Sequence, residues 1–296
     1  MNGTVAVLGP GAVGGALAVR LSLAGFHTVC VGPPETIGPI ALAGLSVESR
    51  EGVLSARPEV RERLATPVSL LLVTVKAPAL DDALEHVDPE TVSGGVALAL
   101  LNGLEHMERL HETFDGRAAA GSVSHYQAYR PGRVQIVEAT TAPVVTMASD
   151  TLTASELEHA AGILRTARME VRVAPSEKRV LWHKVARIAP LAAATAITGR
   201  TVGELRKDQD WRETLRSAIR EACAVAEADG VSLQFASQWT IVEQMADETT
   251  TSAARDVAHG RASELDAILG SVLRAGERLG VETPVLRELA TSAGLP

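Results

Sequence analysis

Cysteine is scarce in this chain. Cys30 and Cys223 are the only two in 296 residues, too few for a disulfide framework, and both stand among apolar neighbours that suit buried thiols in a reducing cytoplasm. No apolar run approaches the roughly eighteen residues that a membrane helix needs. Residues 4–8 form the one apolar run near the start, and glycines follow at once, so a strand is expected there rather than a secretion signal. A basic excess is also missing: 28 Lys and Arg stand against 36 Asp and Glu, a net charge of −8. That balance argues against nucleic acid or an anionic membrane as the main partner. No internal repeat and no long low-complexity segment is visible, and no metal site is assigned. What is present is a 46% apolar chain, long enough for two domains with full cores.

Against that background one stretch organises the rest, Thr4-Val-Ala-Val-Leu8 followed by Gly9, Pro10, Gly11, Ala12, Val13, Gly14 and Gly15. The apolar, β-branched run reads as a buried parallel strand. Gly9, Gly11 and Gly14 fit G-x-G-x-x-G, and Val13, Leu17, Leu21 and Ala24 continue at helical spacing. Strand, glycine turn and helix together point to a dinucleotide site, whereas the turn alone reads as an ordinary loop. Gly9 then serves the tight turn, Gly11 the close approach of a pyrophosphate, and Gly14 the packing of helix on strand. The free N–H groups at the helix start face the phosphates. The positions from Gly9 to Gly14 are therefore the expected cofactor loop.

Further along, strands are expected at 28–31, 69–75 and 96–101, a hairpin at 45–49 and 52–56, and a helix at 80–87. Strands alternating with helices imply a doubly wound parallel sheet, with ligands beyond the strands' carboxyl ends. Lys76 and Asn102 stand at such ends; a solvated lysine and a turn asparagine are the plainer readings of the same positions. Strands at 118–123, 133–138 and 144–147 are expected to extend the sheet in antiparallel fashion, followed by a helix at 154–167 and a strand at 169–173. From Pro175 onward the period is helical. The expected division is an α/β, Rossmann-type dinucleotide-binding domain at 1–174 and an all-α substrate and dimerisation domain at 175–296. The latter has helices at 177–197, 212–228, 235–247 and 261–279, and a break at Thr249–Ser252 that can cap the helix after it. Lys184, Ile188, Ala192 and Thr195 share one stripe of the first of these helices.

With both halves in view, the chain resembles the ketopantoate reductase (2-dehydropantoate 2-reductase) family. The likeness rests on Gly9-Pro-Gly11-Ala-Val-Gly14-Gly15, Val73-Thr-Val-Lys76, Leu101-Asn102-Gly103-Leu104 and Trp182-His-Lys184. It rests most narrowly on Thr251-Ser252-Ala-Ala-Arg-Asp256-Val-Ala-His-Gly260-Arg-Ala-Ser-Glu264-Leu-Asp266, continued through Gly270 and Gly280-Val-Glu-Thr-Pro284. The resemblance implies NADPH-dependent reduction of an α-keto acid to a D-2-hydroxy acid. It implies that Lys184 is the catalytic lysine, Glu264 the substrate-binding acid, and Ser252 a contact to the substrate carboxylate, with Lys76 and Asn102 near nicotinamide and substrate. A lysine suits the chemistry because its ammonium can stabilise the developing alkoxide and donate the proton. Read without the resemblance, Lys184 is a solvated helix residue, Glu264 half of a surface ion pair and Ser252 a helix N-cap.

Two departures stand out. The family's asparagines one and two turns after the lysine are Ile188 and Ala192 here, so the expected substrate wall is apolar and the substrate is ketopantoate or a more apolar relative. The family's arginine after the second strand is Gly32, followed by Pro33, Pro34 and Glu35. The cofactor expected is NADP(H), with NAD(H) open and Arg50 or Lys76 as substitutes for that arginine. The overall expectation is a cytoplasmic reductase with a small-molecule substrate, compatible with a homodimer. Its rivals are a hydroxy-acid dehydrogenase running oxidatively and a dinucleotide-binding sensor without catalysis.

Overall fold

The computed structural model describes residues 3–49, 52–124, 126–138, 143–261 and 263–295. In chain order the first elements are β1 (Thr4–Leu8), α1 (Ala12–Leu23), β2 (His27–Val31), α2 (Pro34–Ala43), β3 (Leu45–Ser49), β4 (Gly52–Ala56), β5 (Glu59–Arg61), β6 (Leu70–Val73), α3 (Leu80–Leu84) and β7 (Val96–Ala99). Then come α4 (His106–Thr113), β8 (Ala118–Ser124), β9 (Ala128–Tyr129), β10 (Gln135–Glu138), β11 (Val144–Ala148), α5 (Ala154–Thr166) and β12 (Glu170–Val173). The helical part follows with α6 (Glu177–Thr198), α7 (Val202–Lys207), α8 (Gln209–Ala228), α9 (Phe235–Glu243), α10 (Ser252–Ala258), α11 (Ser271–Leu279) and α12 (Pro284–Ser292). The chain divides into two compact units, Met1–Leu101 with His106–Val180, and Asn102–Glu105 with Leu181–Pro296.

The first unit is built on an eight-stranded sheet in the order β12-β11-β8-β7-β6-β1-β2-β5. Leu8 pairs with Val31 of β2 on one side and Val73 of β6 on the other. The chain thus leaves β1 in both directions across the sheet, and the crevice of such a switch point is where these sheets bind ligands. β1, β6 and β7 are buried on both faces, as their unbroken apolar runs require.

Two expectations about this sheet need correcting. β8 joins it parallel to β7, and only β11, antiparallel to β8, turns the direction. Residues 135–138 do not extend it at all. β10 pairs with β3 in a separate four-stranded sheet, β4-β3-β10-β9, packed on α1. Alternating residues announce a strand but not its partner, and tertiary burial decides. Ile136 is fully buried, its Cδ1 2.7 Å from where a Cβ on Gly15 would sit, so the glycine lets the second sheet pack closely on α1. Buried Glu138 fixes the docking through Arg20 of α1 (Nη2–Oε2 2.5 Å) and the Tyr126 hydroxyl, which donates to Oε1 at 2.6 Å. A buried pair of this kind adds little net stability, because the cost of desolvating both charges offsets their attraction. α2 was not expected; Pro34 occupies its first position, where a missing N–H costs nothing.

The second unit has its own apolar core, centred on Trp182, Leu191, Leu215, Ile219, Leu269 and Val272. Trp182 Nε1 donates to Asp229 Oδ2 at 2.9 Å, tying α6 to the end of α8. The expected helix at 235–247 stops at Glu243. The expected helix over 261–279 is also shorter: a π turn spans Asp266–Gly270 and leads into α11. Gly270 ends that turn, and the space beside it is taken by the Asp266 carboxylate and, 2.9 Å from where a Cβ would sit, by Arg274 Nη1. Gly280 ends α11 in the left-handed conformation, φ 69°, as a C-terminal glycine should. Among the described residues no helix is long and apolar enough to cross a membrane, and both cysteines are buried free thiols.

Candidate functional site

In the first unit Gly9 and Gly14 have the turn and packing properties expected of them. Gly9 has φ 80°, a region that favours glycine, and its N–H donates to Val31 O at 3.0 Å across to β2. A Cβ on Gly14 would strike Thr74 Oγ1 and lie 2.7 Å from Gly9 O, so α1 packs directly on the strand ends. Gly11 differs: a Cβ there would meet nothing nearer than Gly9 O at 3.9 Å. The glycine at 11 is not needed by the protein's own packing, which is what a position kept open for a bound group looks like. Thr74 locks the turn from β6, donating from Oγ1 to Gly9 O at 2.8 Å. The cradle therefore fits a dinucleotide pyrophosphate at the start of α1. Pro10, Ala12 and Val13 belong to the same loop and first helical turn. Lys76 follows β6, exposed, at the head of a 3-10 turn. Arg50 lies outside the described residues.

In the second unit, residues far apart in sequence meet. Gly103 adopts φ 102°, and its missing side chain leaves room for the Ala267 carbonyl of the π turn. That approach sets Asn102 Nδ2 3.2 Å from Glu264 Oε2, immediately before the turn. Arg274 braces the arrangement, reaching Glu105 Oε2 at 2.8 Å and Asp266 Oδ1 at 2.9 Å. Glu264 is only 6% exposed, which sets aside the surface ion pair.

Lys184 is half-buried on α6, and no hydrogen bond joins its ammonium to a described residue. Burial, with the neighbouring Arg187 charge, pulls its pKa down to about 8, while the Glu264 carboxylate opposes the shift. Such a value lies near neutral pH, where a proton donor works best.

Arg187 is a residue that sequence reasoning passed over. Its Nη1 donates to Gln238 Oε1 at 3.2 Å and to His183 O; its Nε is buried without a hydrogen-bond partner, and no carboxylate pairs with it among the described residues. Burial lowers its pKa to about 10. The available signal was that Arg187 is the only charge between Lys184 and Thr198.

Ile188 is half-buried against the helical core, and Ala192 is fully enclosed within it. The stripe ends at Thr195, whose Oγ1 lies 2.7 Å from Thr251 Oγ1. Thr251, not Ser252, caps α10, accepting from Ala254 N at 3.1 Å; Ser252 is exposed at the first helical position. Among the described residues, no cluster of His, Cys, Asp and Glu is placed to hold a metal.

Comparison with known proteins gives the family. A family model described as ketopantoate reductase PanE/ApbA matches residues 5–149, and its C-terminal counterpart matches residues 178–293. The chain belongs to the ketopantoate reductase family. A 2-dehydropantoate 2-reductase of Caulobacter vibrioides is 33% identical over 294 residues, covering 95% of this chain and 94% of that protein. The solved PanE/ApbA family ketopantoate reductase of Ralstonia eutropha JMP134 is 25% identical with a TM-score of 0.88, over 98% of this chain and 97% of that one. The structure of D-mandelate dehydrogenase with NADH and anilino(oxo)acetate shares the fold, at 18% identity and a TM-score of 0.89 over 98% of this chain and 97% of that one. The protein is accordingly an NAD(P)-dependent oxidoreductase, 2-dehydropantoate 2-reductase-like, with a nicotinamide dinucleotide as its cofactor.

Proposed function

We propose that the chain reduces a small α-keto acid to the 2-hydroxy acid, with Lys184 as the general acid and NADP(H) as the cofactor. The observation that carries the reading is Lys184 itself: a half-buried ammonium with a pKa of about 8, near a carboxylate, Glu264, that Asn102 holds in place. When bound, the reduced nicotinamide supplies a hydride to the keto carbon. Lys184 Nζ stabilises the negative charge that grows on the carbonyl oxygen and donates the proton that completes the alcohol. Glu264 orients the ammonium and accepts a hydrogen bond from a substrate hydroxyl. Arg187 and Ser252 supply contacts for the substrate carboxylate, and Lys76 and Asn102 lie toward the nicotinamide. The glycine turn holds the pyrophosphate.

The apolar Ile188 favours a keto acid with an apolar substituent, ketopantoate or a less polar relative. Anilino(oxo)acetate, held by D-mandelate dehydrogenase, carries an aryl group beside a 2-oxo carboxylate, its oxo carbon being an amide carbonyl rather than a ketone. A cytoplasmic location and a homodimer formed through the helical unit belong to the same reading, the latter checked by sedimentation. Consumption of NADPH and NADH over a panel of keto acids tests the function. Turnover with ketopantoate or an apolar keto acid supports it; tight dinucleotide binding with no turnover on any of them refutes it and leaves a sensor.

The pKa of Lys184 also favours a second reading, oxidation of a 2-hydroxy acid, because an amine near neutrality can take a proton as well as give one. Reduction of NADP+ or NAD+ by D-2-hydroxy acids measures that direction.

A further inference from the structure

We infer that Arg130 reads the 2′-phosphate of NADP(H) in this chain. The inference deepens the cofactor assignment proposed above and rests on it. In dinucleotide-binding sheets a cation near the end of β2 accommodates the 2′-phosphate, whereas an acid there binds the ribose hydroxyls of NAD. This chain has Gly32 directly after β2, so the cation must come from elsewhere.

The space beside Gly32 identifies the source. A Cβ on Gly32 would lie 3.5 Å from Ile37 Cγ2 and 3.6 Å from Pro10 Cδ, so the glycine faces the ring of Pro10. The carbonyl of the same Pro10 accepts a hydrogen bond from Arg130 Nη1 at 2.9 Å. Arg130 follows β9 in the second sheet, so its guanidinium reaches the glycine turn from outside the Rossmann strands. Its charge also reaches Cys30, two residues before Gly32. Burial pushes that thiol up to about 12, and Arg130 is the group that opposes the rise.

Beyond its bond to the Pro10 carbonyl, Arg130 has no counter-charge among the described residues. Its Nε is buried without a hydrogen-bond partner. The side chain is half-buried rather than sealed, so an anion can approach it. Removing a guanidinium from water without a counter-charge is unfavourable, and a phosphate supplies that charge with a geometry the planar fork matches. Arg61 is closer along the backbone, its carbonyl accepting from Gly32 N at 3.3 Å, but its guanidinium is already paired with Glu59. Of these two arginines, Arg130 is the one with no carboxylate partner among the described residues, and so the one placed to recognise a phosphate monoester on the adenosine ribose.

Titration of NADPH and NADH into wild type, Arg130→Gln, Arg130→Lys and Arg61→Gln, by calorimetry or protein fluorescence, tests this. Wild type is expected to bind NADPH more tightly than NADH. Arg130→Gln should weaken NADPH by roughly tenfold or more while changing NADH by less than about twofold. Arg130→Lys keeps the charge and loses the fork, so the NADPH/NADH ratio should fall by roughly threefold; it also serves if the Gln variant does not fold. Arg61→Gln should leave the ratio unchanged. If wild type prefers NADPH and the Arg130 variants keep that preference, the inference fails while the cofactor assignment stands. Equal loss of both affinities would make Arg130 a support for the Pro10 carbonyl and overturn the inference. A wild-type preference for NADH would overturn the cofactor assignment itself and point to Glu35 at the ribose.

Discussion

Asn102 and Glu264, 162 residues apart in sequence, are joined by a hydrogen bond of 3.2 Å from the amide Nδ2 to the carboxylate Oε2. The contact depends on Gly103, whose left-handed backbone lets the loop lie against the π turn. Gly103→Ala adds a collision with the Ala267 carbonyl to the strain of a positive φ, each costing on the order of 1–3 kcal/mol. A lower melting temperature than that of Asn102→Ala is expected, with keto-acid KM raised in both. Equal melting temperatures in calorimetry would remove this role for Gly103.

Gly11 and Gly14 should respond oppositely to alanine. Gly14→Ala drives a methyl into Thr74 Oγ1 and Gly9 O and is expected to lower stability by about 1–3 kcal/mol. Gly11→Ala meets no protein atom closer than 3.9 Å. It should melt like wild type and yet bind the dinucleotide at least tenfold less tightly, about 1.4 kcal/mol. Thermal melts paired with dinucleotide titration separate the two; a Gly11 variant with wild-type affinity would clear the loop of its phosphate role.

Lys184→Ala should lower kcat on the order of 100-fold or more with dinucleotide affinity unchanged. A near-normal kcat would pass the acid role to Lys76.

The pH profile carries a sign. A general acid must be protonated, so kcat for reduction should fall as pH rises through about 8, the value for Lys184, and the oxidative rate should rise. Arg187 and Glu264 are the charges acting on that ammonium. Glu264→Gln removes an attraction that favours the charged form, so the descending limb should move to lower pH. Arg187→Leu removes a repulsion, so it should move higher. Limbs that stay in place in both variants would detach the profile from Lys184.

Substrate preference tests Ile188 and Arg187 together. Ile188→Asn should raise kcat/KM for ketopantoate relative to a keto acid lacking its hydroxyl, because an unpaired buried hydroxyl costs about 1–3 kcal/mol. Arg187→Leu should raise KM for a keto acid and leave the corresponding keto amide nearly unaffected. A uniform loss on acid and amide would make Arg187 structural only.

The parts that could be read from the sequence were those in which local spacing already implies geometry. Gly9 and Gly14 are constrained by the turn and packing of any strand–glycine–helix unit, and their surroundings match. Lys184 and Glu264 carried no such local signal; only the family resemblance singled them out. Arg130 was not legible and Arg187 showed only as a lone charge in an apolar stretch, because what distinguishes both is that no carboxylate pairs with them among the described residues, a property of the folded neighbourhood. The second sheet was missed for a related reason. The alternation in Gln135–Glu138 specifies a strand, while Gly15, Arg20 and Leu45 determine where it docks. α2 was hidden by Pro33 and Pro34, which read as a loop until one of them is placed at a helix start.

The π turn at Asp266–Gly270 makes residue count, as much as residue identity, decisive near Glu264. A π turn carries one residue more than the α-helical turn it replaces. Deleting a single residue there would let regular helix run back toward Leu265 and rotate everything before it by roughly 100° about the axis. Glu264 and Asn102 would both survive such a deletion, yet the rotation would carry the Glu264 carboxylate away from the Asn102 amide. The angular phase between the carboxylate and the apolar face of α11 is stored as an inserted residue, so this segment should tolerate many substitutions and almost no change in length.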